Sequence, residues 1–150
     1  AAPASGPARG YWVLLAMQTL GVTLLYVTGV PRFRAIVSDP AGQAARPEML
    51  GWFLAGILPI QVAYWIRFRF RPRMPEPNRS FLAHVVMFLS RLVFVLATTV
   101  FSHMFILQKA DFHLPRLHAA VLLAALFSLY CYSQELDHLG KALQRPPPKA

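Results

Sequence analysis

Four long apolar stretches alternate with short basic connections along this chain. The first, Tyr11 to Val30, holds no charged residue. Its length of about 20 residues, at 1.5 Å of rise each, matches the hydrocarbon core of a bilayer. Arg9 stands before it and Pro31-Arg32 after it. The apolar part of a secretory signal is shorter, about 7–15 residues, and ends at a small-residue cleavage site. Neither feature is met, so the stretch reads as a retained span. The second, Leu50 to Ile66, is interrupted by Gln61 and carries Pro59 near its middle, where a kink is expected. The third, Phe81 to Leu107, is the longest; about 27 residues of helix measure roughly 40 Å and must tilt or protrude. The fourth runs from Pro115 to Ser133, with proline suited to a first helical position. Behind it, Gln134 to Leu143 continues at helical spacing and stops before Pro146-Pro147-Pro148.

The pattern predicts an all-α integral membrane protein, a four-helix antiparallel transmembrane bundle occupying residues 11–143. The spans are expected at about 11–30, 50–66, 81–107 and 115–133, the last followed by a short cytoplasmic helical extension. Residues 1–10 and the Pro-rich 144–150 read as flexible tails, and the chain has no internal repeat. Composition agrees: 56% of the residues are hydrophobic and 14% charged, against about 25% charged in an ordinary soluble domain. A soluble core of this size buries only about two-thirds of the surface its chain exposes. A simple soluble enzyme, a disordered tail and a coiled coil are therefore excluded. The single cysteine excludes a disulfide scaffold, and Cys131, between Tyr130 and Tyr132, reads as a packing residue.

The net charge of +9 is spread over the connections. With four spans, both termini share a side with the connection between the second and third. That side collects Arg9, Arg67, Arg69, Arg71, Arg73, Arg79, Lys141, Arg145 and Lys149; the other has Arg32, Arg34, Arg46, Lys109 and Arg116. The positive-inside rule then places both termini in the cytoplasm, with the identity of the membrane left open. The densest basic piece carries Arg67, Arg69, Arg71 and Arg73, interleaved with Phe68 and Phe70. Extended, it would lay its rings into headgroups and its guanidiniums on phosphate, or dock on an acidic partner. Two rings make a poor stacking platform, so nucleic acid is not an expected partner.

Arg91 is the sharpest single feature, because a cation about ten residues inside a span needs a partner. None of the six acidic residues falls inside a proposed span, and Glu135 is the nearest candidate. His84, Arg91 and Thr98 share a helical face, with Ser102 one turn beyond. Such a stripe either faces the other helices, bonding to Gln18, Gln61 or Tyr64, or lines a ligand route or subunit contact. His103 and His118 fall at similar depths in a hairpin of the third and fourth spans, which would allow one haem b. His113 and Asp111 lie in the connection beside them, where copper or zinc is conceivable. The spacing matches no specific metal motif, so no cofactor is expected.

The chain carries no HExxH, GxSxG or Gly-rich phosphate loop, and no carboxylate pair inside a span. Small residues recur every four positions at Gly51, Ala55, Pro59 and Ala63, and at Ala120, Ala124 and Ser128, which are expected helix contacts. Gly21 and Gly29 add further close-packing positions in the first span. The functional expectation is a non-catalytic polytopic subunit or accessory factor of a larger membrane complex. A small carrier or channel using the Arg91 stripe, and a single-haem electron-transfer anchor, are the alternatives.

Overall fold

The computed structural model describes residues 9–38, 48–70, 80–103, 106 and 116–144, and all of them are helical. The helices are α1 (Arg9–Ser38), α2 (Glu48–Phe70), α3 (Ser80–Ser102) and α4 (Arg116–Gln144). Each contains a segment long and apolar enough to cross a membrane: Arg9–Pro31, Leu50–Phe70, Phe81–Ser102 and Ala119–Gln144. Four candidate spans are therefore present. Most of both expected tails, 1–8 and 145–150, lies outside the described residues.

The helices depart from the apolar stretches at their ends, for local reasons. α1 passes through Pro31 to Ser38, since proline forfeits one backbone donor but keeps a helical φ. α2 runs on to Phe70 and so draws Arg67 and Arg69 into its last turn, where cations complement the carbonyl end of the helix. α3 is α-helical to Ser102, and His103 and Ile106 beyond it are still helical, in the wider π form. Thr98 and Thr99 there bond back to the carbonyls of Phe94 and Val95, a competition that weakens the ladder. α4 is continuous from the fourth span through its extension, because nothing between Ser133 and Leu143 breaks a helix.

α1 packs along α2, and α3 along α4; α4 also meets α2 and, more narrowly, α1. Among the described residues α3 approaches no helix except α4. Its buried positions are Ala83, Val86, Ser90, Val93 and Ala97, spaced alternately by three and four. That spacing keeps a single seam facing one neighbour. At its centre, Ser90 Oγ donates to the Ser133 carbonyl at 2.8 Å and Ser133 Oγ donates to the Ser90 carbonyl at 3.0 Å. The two hydroxyls thus bond across helices, with no demand left on a solvent that lipid does not supply. Further along, Gly140 lies against Met87 and Ala83.

The α1–α2 contact is closest at Gly21. A Cβ on Gly21 would stand 2.7 Å from the Gly56 carbonyl oxygen, and one on Gly56 would stand 2.7 Å from Leu25 Cγ. Sequence spacing found part of the α2 contact: Pro59 lies against Gly21, its Cγ 2.9 Å from where a Gly21 Cβ would stand. Of Gly51, Ala55, Pro59 and Ala63, only Ala63 is buried, and Gly51 faces open space. On α4, Ala120 and Ala124 are exposed and Ser128 is buried. The true α2 seam runs through Gly56, Ile60, Ala63 and Arg67, fixed by what α1 presents opposite it.

Gly21→Ala is expected to lower stability by about 1–3 kcal/mol, the usual cost of overpacking. Gly51→Ala should leave it unchanged. Thermal unfolding of the detergent-solubilised variants distinguishes the two positions.

Candidate functional site

The residues that close the bundle at one end come from three helices. Tyr11 stands near the start of α1, Arg67 in the last turn of α2, and Glu135 two-thirds along α4. All three are buried: Tyr11 fully, and Arg67 and Glu135 each 7% exposed. Arg67 Nη1 lies 2.5 Å from Glu135 Oε1, and the Tyr11 hydroxyl donates to the same oxygen at 3.0 Å. The Arg67 guanidinium carbon sits 4.5 Å from the centre of the Tyr11 ring. Tyr11 therefore serves the pair twice, with its hydroxyl toward the anion and its π face toward the cation. A lone buried charge of either sign would be costly, and here each offsets the other.

Arg67 belongs inside the bundle, so the expected surface role fails for it. Because α2 continues to Phe70, Arg67 and Arg69 take helical directions about 200° apart instead of sharing an extended face. Arg69 is exposed. Arg71 and Arg73 lie outside the described residues.

About two helical turns inward lies a second polar level. Gln61 Nε2 donates to Ser128 Oγ at 2.9 Å, joining α2 to α4. Thr19 and Tyr132 hydroxyls meet at 3.0 Å, joining α1 to α4. Gln18 is fully buried, and neither polar atom of its side chain has a hydrogen-bond partner among the described residues. Gln61 is therefore an internal strut, remote from Arg91, since α2 and α3 do not approach each other.

The His84–Arg91–Thr98 stripe faces outward. All three residues are exposed, and Ser102 is half-buried. The stripe does not face Gln18 or Gln61, which are occupied on the far side of α4 or buried among α1 and α2. Thr98 already spends its hydroxyl on its own helix. Glu135, expected as the nearest acid for Arg91, is held by Arg67 instead. The other acid whose side chain is described, Asp137, pairs with Lys141 at 2.5 Å on the surface. Among the described residues Arg91 has no carboxylate partner.

His103 follows the last turn of α3 and is half-buried. The side chain of His118, and Asp111 and His113 altogether, lie outside the described residues. Among the described residues no three His, Cys, Asp or Glu side chains gather as a metal site would need. Comparison with family models, curated proteins and solved structures finds no match to this chain.

The sequence held a signal for the buried pair. Glu135 is seven residues beyond Ser128 and so shares its face, while Arg67 is seven beyond Ile60. Ending the second helix with its apolar stretch at Ile66 concealed it. Glu135→Gln or Arg67→Leu alone should destabilise by about 3–5 kcal/mol, because each strands a buried charge. Combining Arg67→Leu with Glu135→Leu should recover much of that loss. Gln18→Met should instead raise the melting temperature, since an unpaired buried amide costs about 1–3 kcal/mol. Thermal melts of the four variants in one detergent measure all of these.

Proposed function

We propose that the protein is a non-catalytic multi-pass subunit or accessory factor of a larger membrane complex. In this reading the four helices cross the bilayer alternately up and down, with both termini and the Arg67–Glu135 end on the cytoplasmic side. The unequal distribution of arginine and lysine supports that orientation.

One observation carries the reading. Among the described residues α3 packs on α4 alone, and its outer face presents Arg91 at mid-helix together with His84 and exposed phenylalanines. A guanidinium in hydrocarbon costs at least ~2.5 kcal/mol on insertion scales and is ordinarily found against a partner group. The carboxylates described in this chain are engaged elsewhere. A neighbouring protein that covers this face removes the penalty. The two polar levels and the Gly21–Gly56 contact tie α1, α2 and α4 together, which suits a scaffold that holds its shape.

Gentle extraction from the native membrane followed by native mass measurement tests the proposal. A mass above 16.8 kDa that resolves into this chain plus at least one different polypeptide is expected. A stable monomer with no co-purifying chain would refute it.

A further inference from the structure

We propose that the outer face of α3 docks a transmembrane helix of another protein, one that carries an aspartate or glutamate near the middle of the bilayer. The inference deepens the subunit reading above and rests on it.

α3 has two seams of the same kind. The inner one, through Ala83, Val86, Ser90, Val93 and Ala97, is buried against α4. The outer one runs through Phe81, His84, Phe88, Arg91, Val95, Thr98 and Ser102, again spaced alternately by three and four. Six of its seven members are exposed, with Phe81 at 83% and Phe88 at 65%, and Ser102 is half-buried. A three-four repeat is the spacing that stays in register with a second helix crossing at a shallow left-handed angle. On the inner seam that geometry is already used. On the outer seam no second described helix packs.

Charge decides what the neighbour brings. Arg91 is eleven residues from either end of α3, or about 16 Å at 1.5 Å per residue. That is farther than an arginine side chain extends, so a lipid phosphate at either surface is out of direct reach of an upright helix. A carboxylate on a neighbouring helix at the same depth meets the need for a counter-ion directly. A second copy of this chain, related by rotation about the membrane normal, would set Arg91 against Arg91. Like charges in low dielectric repel strongly, so self-association through this seam is disfavoured. An apolar helix with one central carboxylate is the complement. Its ring-facing positions need small residues opposite Phe81 and Phe88, because small side chains let helices approach.

The test uses the full-length protein in phosphatidylcholine vesicles with a labelled Leu-Ala peptide of transmembrane length bearing one central Asp. Energy transfer should report association at least tenfold tighter than for the same peptide with a central Leu. Arg91→Leu should abolish the difference, and Arg91→Asp should transfer the preference to a peptide with a central Lys. Equal association of the Asp and Leu peptides with the wild-type protein would overturn the proposal. So would complete loss of Asp-peptide binding on adding phosphatidylglycerol, which would make a net-anionic lipid headgroup the counter-ion. The two readings fail separately. A native complex that survives Arg91→Leu keeps the subunit role but moves the contact away from this seam. A monomeric native protein removes both.

Discussion

A single ion pair sets the geometry of one end of this protein. Arg67 and Glu135 are both buried in a bundle whose surroundings offer few other polar groups, so neither can be satisfied unless α2 and α4 meet at one level. Tyr11 binds that pair from α1 through its hydroxyl and its ring. Three helices are thereby fixed in axial register before any apolar packing is counted. Apolar side chains alone fix register weakly in lipid, where the hydrocarbon outside a helix resembles the side chains inside.

From that anchored end the same three helices repeat the arrangement with uncharged groups. Gln61 with Ser128 and Thr19 with Tyr132 continue the joining of α1, α2 and α4. Beyond them the contact passes to shape, where Gly21 and Gly56 let α1 and α2 approach too closely for any side chain. α3 stands outside this trio. It is attached by the reciprocal bonds of Ser90 and Ser133 and by the fit of Gly140 against Met87. Among the described residues no other helix covers the remaining circumference of α3. The outward position of Arg91 follows directly, since Ser90 faces α4 and the next residue is turned about 100° from it.

The division of the cations is instructive. Arg67 and Arg91 both lie within candidate spans, and they meet opposite fates through helical phase. Arg67 lies on the buried side of α2, in phase with Ile60 and Ala63, and is neutralised internally. Arg91 is out of phase with Ser90 and Val93 and faces outward. An internal partner makes the first a structural residue. The second is available for recognition, which is the difference the proposed function relies on.

The apolar lengths alone determined that four helices long enough to cross a membrane would form, because backbone groups in hydrocarbon must bond within their own segment. Residue spacing also revealed that His84, Arg91 and Thr98 share one face of α3, since helical period is a local property. The direction of that face was not legible, nor was the partner of Glu135, which lies 68 residues from Arg67 in the chain. Both depend on which helices become neighbours and at what rotation. The place of Gly56 in the α2 contact was not legible for the same reason: Gly51 and Gly56 look alike in sequence, and only the approach of Gly21 from α1 selects between them. Periodicity is written in the order of residues along one helix, whereas burial and pairing are decided by the surface of another.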